Sequence, residues 1–324
     1  MRAIEFHSCL AAELRRFVDL RRAGGSDYEA QTRLLLYFDR FLEKQAVTEP
    51  RLTREITEAY QQTLGQLRAR TGDNRLSVVR QFCEYLSRTD PRCYVPERHR
   101  GIRPQDARRP HIFSVSQVQK LLAAAAQLPP PNSLRPQTCR TLLGLLYSTG
   151  IRIGEAFALN LEDFHRQEQN LYIAAGKFRK ARWVCLSATA RDALCQYVEK
   201  RQQISPSEPD SPLLLNQRGR RLHHPAVYRA FLHLLSQCGI PHHRDTGPRI
   251  HDLRHTFAVH RLLAWYRDGQ DVNARLPWLA TYMGHVDIQS TQVYLHATAE
   301  LLEQVDQRFH GHYLQHVKSH GGPQ

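Results

Sequence analysis

Apolar residues recur every three or four positions through residues 1–90 of the chain. Such a period places the apolar side chains on one face of a helix, where a core can bury them. The stripes are Leu10, Leu14, Phe17 and Val18; Leu34, Leu35, Tyr37, Phe38, Phe41 and Leu42; a segment after Thr53; and Val78, Val79, Phe82, Tyr85 and Leu86. The pattern predicts a domain of four helices over residues 1–91.

The helical period stops after residue 91, and a basic stretch follows at residues 92–110. Pro96, Pro104 and Pro110 lie in this stretch, and proline disfavours both a helix and a central strand. We therefore expect an extended linker between two domains. The linker arginines that would contact the phosphates of a nucleic acid, or would only keep the linker soluble, are Arg98, Arg100, Arg103, Arg108 and Arg109.

A second domain is predicted over residues 111–324. Ser114 stands three residues before Gln117 at the start of an apolar run, a pairing typical of a capping box. An apolar helix around Leu142 then runs into SerThrGly, where Gly150 can adopt a positive φ and end the helix. Arg152 would begin the next element, so the break would direct its side chain out of an otherwise buried segment.

Two β-prone runs, LeuTyrIleAlaAla and ArgTrpValCysLeu, follow in the chain. The segment GlyLysPheArgLysAla separates them, so the pattern predicts a hairpin with a basic tip. Helices are predicted near residues 187–201 and 225–238, and another begins at HisAspLeuArgHis. The expected fold class is therefore mainly α with a small β-sheet.

The charge balance favours a polyanionic partner. The chain has 45 lysines and arginines against 31 aspartates and glutamates, a net charge of +14, and its pI is about 9.8. A nucleic acid, another acidic substrate or a membrane surface would each suit this charge. The sequence contains neither a long apolar run nor the pattern of a signal peptide, so we expect a soluble cytoplasmic protein. Seven cysteines without a CxxC pair indicate buried, reduced thiols.

Three short motifs carry groups suited to phosphodiester chemistry. Arg152 lies in SerThrGlyIleArgIleGlyGlu, His251 and Arg254 lie in HisAspLeuArgHis, and His285 ends MetGlyHis, with Tyr294 nine residues later. Guanidinium groups bind phosphate oxygens in a bidentate manner, histidine transfers protons, and a tyrosine hydroxyl can act as a nucleophile. The spacing of His251 and Arg254 places both on one face of a helix start, where free N–H groups favour a phosphate.

A metal site is the competing interpretation of HisAspLeuArgHis. His251 and His255 have the i, i+4 spacing of two ligands on one helix face. The glutamate of an HExxH motif is absent, however, and Arg254 between the two histidines would repel a cation. We therefore expect neither a metal nor another cofactor.

In this order, the motifs resemble the catalytic set of the tyrosine recombinase (phage integrase) family, from about residue 114 to residue 310. The resemblance implies a SAM-like four-helix core-binding domain and an α/β catalytic domain that form a C-shaped clamp. It implies cleavage and rejoining of double-stranded DNA at paired half-sites by a homo-oligomer, expected to be a tetramer, without ATP or a divalent metal. The wide spacing between Arg254 and His285 resembles recombinases of mobile elements, which integrate or excise DNA.

The resemblance assigns Tyr294 as the nucleophile. Its hydroxyl oxygen would attack the phosphorus and leave a 3′-phosphotyrosyl bond and a free 5′-hydroxyl. His251 would accept or hold the proton of Tyr294, and His285 would contact the phosphate. Tyr282, the nearby alternative, lies on the other side of the GlyHis turn and is not expected to act.

Two arginines and a hairpin lysine complete the implied set. Arg152 and Arg254 would bind the non-bridging oxygens, with Glu155 as a supporting residue that orients them. Lys177 directly follows a glycine, as the hairpin lysine of the family does, and would protonate the departing 5′ oxygen. The residue after Lys177 departs from the family pattern, so Lys180 stays an alternative.

Other functions and arrangements stay open. A type IB topoisomerase, a catalytically silent DNA-binding protein and a metal-dependent nuclease would each share part of the pattern. The expected location is the bacterial cytoplasm, in association with the nucleoid. An apolar stripe near the end of the chain would pack on its own domain or, as the resemblance implies, on a neighbouring protomer; it consists of Ala299, Leu301, Leu302, Val305 and Phe309.

Overall fold

A computed structural model describes residues 5–97, 110–174, 181–205, 208–243 and 247–284. The chain divides into two compact units, Met1–Ala107 and Arg108–Gln324, here called the N-terminal unit and the C-terminal unit. Within the described residues there are eleven α-helices and one three-stranded sheet. The predicted fold class, mainly α with a small β-sheet, is confirmed.

The described residues of the N-terminal unit, 5–97, form four helices, each of which buries one apolar face. Their bounds are α1 Ala11–Ala23, α2 Glu29–Lys44, α3 Arg54–Leu64 and α4 Ala69–Leu86. The rings of Phe17 and Phe82 pack with centroids 5.5 Å apart, and those of Phe38 and Tyr60 with centroids 4.8 Å apart. These contacts join α1 to α4 and α2 to α3, and the buried residues of all four helices form one hydrophobic core.

Two details of the N-terminal unit concern individual residues of the apolar pattern. Thr53 caps α3, since its hydroxyl oxygen accepts a hydrogen bond from the Ile56 N–H. Tyr37, in contrast, was grouped with the apolar stripe of α2 but is 47% exposed. The guanidinium group of Arg75 lies 4.0 Å from the centre of its ring, so Tyr37 supports a surface cation instead of filling the core.

The C-terminal unit contains the remaining helices and the sheet. The elements are α5 Val115–Ala125, α6 Arg135–Thr149, α7 Ile153–Ala158, β1 Phe164–His165, β2 Asn170–Ile173, β3 Arg182–Cys185, α8 Ala188–Ile204, α9 His224–Gln237, α10 Asp252–Arg267 and α11 Val272–Met283. The capping box predicted at Ser114 is present, because the Ser114 hydroxyl oxygen accepts from the Gln117 N–H and the Gln117 side chain accepts from the Ser114 N–H.

Gly150 ends α6 in the left-handed conformation, with φ 64°, as the sequence predicts. A Cβ at this position would overlap the ring of Phe257, so the site requires glycine for its space as well as for its backbone. Because the chain turns here, Arg152 becomes the N-cap residue of α7. The turn therefore brings α6 against α10 and starts α7 in a new direction.

The sheet is antiparallel in the order β1-β2-β3. The predicted hairpin strands pair as β2 and β3, with Leu171 opposite Val184 and Tyr172 opposite Trp183. Strand β1 was not predicted, because Phe164 and His165 are too short a run to give an alternating pattern.

Helix α11 continues through Pro277 to Met283. Its buried residues Val272, Leu276 and Leu279 keep the helical period, and their packing outweighs the one hydrogen bond that proline removes.

All seven cysteines are free thiols. Three of them are buried as expected, but Cys185 is exposed at the end of β3. None of the helices within the described ranges is both long enough and apolar enough to cross a membrane.

Candidate active site

Arg254 joins three motifs that are far apart in the sequence. It lies in the first turn of α10 and is 2% exposed. One terminal nitrogen donates to the carbonyl oxygen of Gly150, at the end of α6, and the other donates to that of Met283, at the end of α11, over 2.7 Å. Both carbonyl groups lie at helix C-termini, where the partial negative charge favours a cation. The ends of α6 and α11 are thereby fixed around one guanidinium group.

Arg152 binds the residue that follows Met283. Its Nη2 donates to the carbonyl oxygen of Gly284 over 2.7 Å, and its Nη1 donates to Glu155 Oε1 over 2.8 Å. Glu155 Oε2 accepts in turn from the Arg152 backbone N–H over 2.9 Å. One carboxylate therefore caps α7 and orients the side chain of the residue that begins it.

Arg182, which the sequence interpretation did not select, binds the same carboxylate. From the first residue of β3, its Nη1 and Nη2 donate to Oε1 and Oε2 of Glu155 over 3.1 and 2.8 Å. Its Nε donates to the carbonyl oxygen of Tyr282 over 2.9 Å. In the sequence, Arg182 is an arginine at the start of a predicted strand, next to the basic hairpin segment. Nothing in that local pattern indicates a partner 27 positions earlier in the chain.

Glu155 is ionised because of these two arginines. It is 6% exposed, and burial alone would raise the pKa of its carboxyl group. The hydrogen bonds from Arg182 and Arg152 outweigh burial and lower the pKa to about 2. The carboxylate therefore holds both guanidinium groups throughout the physiological pH range.

Gly284 allows the two guanidinium groups to approach the end of α11. It adopts the left-handed conformation with φ 68°. A Cβ at this position would lie 3.0 Å from Cζ of Arg182 and 3.3 Å from Nη1 of Arg152. Any side chain at residue 284 would therefore be strained in its backbone and would press on both arginines.

His251 is the N-cap residue of α10 and remains partly open to solvent. Its ring meets that of His255 edge to face, with centroids 5.0 Å apart. Packing of protein atoms around the ring, and next the positive charge of Arg254, lower the pKa of His251 to about 4. His251 is thus neutral at neutral pH and able to accept a proton.

A metal site at His251 and His255 would need further ligand side chains close to them. Burial, followed by the charge of His251, lowers the pKa of His255 to about 4. No cluster of three or more His, Cys, Asp or Glu side chains suited to a metal ion occurs among the residues that the structure describes.

The hydroxyl group of Tyr282 is bound to the protein backbone. Its hydroxyl donates to the carbonyl oxygen of Cys185 over 3.0 Å, and burial raises the pKa of its phenol group above the usual value. The ring packs against Phe257, with centroids 5.9 Å apart. Tyr282 therefore joins α11 to β3 through its hydroxyl and to α10 through its ring.

Several predicted site residues lie outside the described residues. These are Lys177 and its alternative Lys180, His285, Tyr294, the linker arginines Arg98, Arg100, Arg103, Arg108 and Arg109, and the apolar stripe from Ala299 to Phe309. Of the predicted set, the structure therefore brings together Arg152, Glu155, His251 and Arg254. In the sequence, His285 directly follows Gly284, whose carbonyl group Arg152 binds.

The sequence profile of the phage integrase family matches residues 112–300. This match covers more than half of the chain and contains every motif that meets around Arg254. The chain belongs to the phage integrase family. It is therefore a tyrosine recombinase.

Two relatives illustrate the similarity at the level of the whole chain. The protein y4rB of Sinorhizobium fredii, whose name places it among the integrases and recombinases, is 36% identical over 300 residues, covering 90% of this chain and 94% of its own length. The tyrosine recombinase XerD of Oceanobacillus iheyensis is 30% identical over 242 residues, covering 74% of this chain and 75% of its own.

A solved structure has the same fold. The Tn1549 transposon integrase, in complex with a circular intermediate DNA, superimposes with a TM-score of 0.65 and covers 94% of this chain and 99% of its own. The two sequences are 16% identical, so this likeness concerns the fold alone.

Proposed function

We propose that this recombinase cleaves and rejoins DNA at specific sites through a 3′-phosphotyrosyl bond to Tyr294, and thereby integrates or excises a DNA segment. One observation carries the proposal. Arg254 and Arg152, from different motifs, donate to the carbonyl groups of Met283 and Gly284, the two residues before His285. The groups suited to a phosphate thus converge on the turn that leads into the segment with Tyr294.

The two arginines would bind the non-bridging oxygens of the scissile phosphate. Within the described residues, hydrogen bonds occupy two of the five N–H donors of Arg152. The remaining donors are available for phosphate oxygens, and the side chain is 23% exposed. Because protein contacts already fix the guanidinium group, little reorganisation is needed when charge develops in the transition state.

The covalent step moves one proton on each side of the phosphorus. The Tyr294 oxygen forms a bond to phosphorus and loses its proton to His251, whose lowered pKa keeps the ring neutral at neutral pH. The bond from phosphorus to the 5′ oxygen breaks, and Lys177 donates a proton to that oxygen. His285 contacts the phosphate. Attack by a 5′-hydroxyl on the phosphotyrosyl bond reverses these transfers and rejoins the strand.

Double-stranded DNA is the proposed partner. The net charge of +14 suits it, and the Tn1549 integrase of the same fold is bound to DNA in its structure. The linker arginines Arg98, Arg100, Arg103, Arg108 and Arg109 would add phosphate contacts. Four protomers would act together on paired half-sites, each linked to the next through the stripe from Ala299 to Phe309.

The proposal is tested with a matched pair of tyrosine variants, Tyr294→Phe and Tyr282→Phe. Each substitution removes one hydroxyl from a neighbouring part of the chain. The probe is a nicked duplex whose sequence is selected from a randomised library by its binding to the Tyr294→Phe protein. Denaturing gels then measure the covalent protein–DNA adduct.

We expect Tyr294→Phe to bind the duplex and form no adduct, because only the attacking oxygen is lost. Tyr282→Phe should form the adduct, since its hydroxyl only donates to Cys185. Adduct formation by Tyr294→Phe would show that another residue is the nucleophile. Relaxation of supercoiled DNA without a preferred sequence would favour a type IB topoisomerase activity instead.

A further inference from the structure

Arg182 connects three elements through a single side chain. It begins β3, the strand that follows the hairpin tip, and binds both carboxylate oxygens of Glu155 on α7. It also binds the carbonyl oxygen of Tyr282 in the last turn of α11. Removal of this side chain would take away the guanidinium donor to the Tyr282 carbonyl oxygen. Among the described contacts, Arg152 would then be the one arginine bound to Glu155.

The direction of its donors distinguishes Arg182 from Arg152. Each of the three guanidinium nitrogens of Arg182 donates to a protein acceptor, and the side chain is 11% exposed. Arg152 is 23% exposed and lacks a described acceptor at Nε. Three of the five N–H donors of Arg182 are therefore bound to the protein, whereas the more exposed Arg152 uses two and keeps its Nε donor for a ligand.

The two arginines are mechanically coupled through shared neighbours. Glu155 Oε1 accepts from Nη1 of Arg152 and from Nη1 of Arg182. A Cβ at Gly284 would lie 3.0 Å from Cζ of Arg182 and 3.3 Å from Nη1 of Arg152, so both guanidinium groups border the same space beside Gly284. If Arg182 is removed, Glu155 loses one of its two arginine partners and the space beside Gly284 opens, so the Arg152 guanidinium group is held less tightly by Glu155 and Gly284 O.

We propose that Arg182 is a positioning residue, which fixes Glu155 and, through Glu155, holds the guanidinium group of Arg152 in the orientation that binds the scissile phosphate. This inference rests on the proposed function. Arg182 itself does not contact the DNA. Its contribution to cleavage is transmitted through Arg152 and disappears when Arg152 can no longer bind the phosphate in a bidentate manner.

A lysine at position 182 could not make the same set of hydrogen bonds. An ammonium group is a compact charge and lacks the planar fork that meets two carboxylate oxygens and a carbonyl group together. Arg182→Lys therefore keeps the charge beside Glu155 but loses the geometry. Arg166 provides the matched control, because it pairs with Glu199 in an exposed salt bridge of the same unit, 63% and 57% exposed.

The test is a double-mutant cycle on the full chain with the nicked duplex described above. The variants are Arg182→Ala, Arg152→Lys and the two together, with Arg166→Ala as the control. The rate of adduct formation is measured in a single turnover at saturating protein, and DNA affinity is measured separately. Arg152→Lys is used because it keeps a positive charge at this position but loses the planar fork.

We expect Arg182→Ala to slow adduct formation by about ten- to a hundredfold while DNA affinity stays within about threefold, the pattern of an interaction made in the transition state. In the Arg152→Lys background, the same substitution should cost no more than about twofold, since residues that act as a unit are not additive. Arg166→Ala should match the wild type in both measurements.

Three results would overturn the role of Arg182. These are a wild-type rate for Arg182→Ala, a loss of DNA affinity that accounts for the slower rate, or an equal loss in both backgrounds. If Arg182→Ala does not fold, Arg182→Lys replaces it in the same cycle with the same criteria. Absence of any adduct with the wild-type protein would instead overturn the proposed function, and the role of Arg182 with it.

Discussion

Exposed arginine pairs on the helices of the N-terminal unit differ from the buried arginines at the candidate site of the C-terminal unit. In the N-terminal unit, Arg33 and Arg54 pair with glutamates four residues away on the same helix, and both side chains are more than half exposed. In the C-terminal unit, Arg182 and Arg254 are 11% and 2% exposed. Their partners lie on other elements, up to 104 positions away in the sequence.

The contrast shows that the partner of an arginine determines whether its charged group is mobile or fixed in direction. Exposed pairs within one helix contribute little stability, because solvent and salt screen them and the side chains stay mobile. Such arginines are available to a diffuse partner such as a phosphate backbone. Buried arginines bound to carbonyl groups and a shared carboxylate are fixed in direction, so they can define a site.

The largest expected effect is that of Arg254→Ala. The substitution leaves the carbonyl groups of Gly150 and Met283 without their buried donor and removes a cation proposed to bind the phosphate. We expect adduct formation to fall by about a hundredfold or more, the usual loss for one oxyanion-type donor, and the midpoint of urea unfolding to decrease. Arg33→Ala, the control in the N-terminal unit, should leave the cleavage rate nearly unchanged. Comparable losses in the two variants would break the contrast between the units.

An intermediate effect is expected for Glu155→Gln. The substitution leaves two arginines beside a neutral group, and removing one member of a buried ion pair costs about 3 kcal/mol of unfolding free energy. Glu199→Gln, which removes the exposed partner of Arg166, should have almost no effect on stability. Denaturant unfolding at neutral pH compares the two, and equal stability of both variants would contradict the role given to Glu155.

The stability difference between wild type and Glu155→Gln should also depend on pH. The pKa of Glu155 is about 2 in the folded protein, below its ordinary value of 4.5. Because the folded-state pKa is the lower one, the carboxylate contributes its full stabilisation above about pH 4.5 and loses it as the pH falls toward 2. A difference that grows on acidification would contradict this assignment.

The smallest effect is expected for Gly284→Ala, with Gly154→Ala as its control. An alanine in the left-handed conformation costs about 1–2 kcal/mol, and its Cβ would push on Arg182 and Arg152. Gly154 lies inside α7, where a Cβ would meet no atom within 4 Å, so alanine should be neutral or slightly stabilising there. Thermal unfolding of both variants, with the adduct rate of each, checks the difference. Equal behaviour would mean that the close approach at Gly284 is unimportant.

Local features of the fold could be predicted from the sequence because short patterns determine them. The capping box at Ser114, the cap at Thr53 and the left-handed end of α6 at Gly150 each depend on a few adjacent residues. The motif around Arg152 also places Glu155 within reach of the α7 backbone, three residues on. For the same reason, the grouping of Arg152, Glu155 and Arg254 could be proposed from motif order and family resemblance.

Long-range pairings could not be predicted in this way. The contact between Arg182 and Glu155 depends on how β3 lies beside α7, and no spacing in the sequence expresses it. Helix α11 shows the same limit, since Pro277 indicates a break when read locally and only the packing of its apolar face reveals a continuous helix. The positions of Lys177, His285 and Tyr294 in the site stay predictions.

The exposed thiol at the end of β3 gives this protein a native attachment point for a spectroscopic probe. Cys185 is three residues from Arg182 and is the one cysteine of the seven that is exposed; the others are buried or half-buried. We therefore expect a fluorophore or a spin label that reacts with accessible thiols to attach first to β3, without any engineered cysteine. Changes in its signal on adding DNA report the environment of β3 directly, in the wild-type chain.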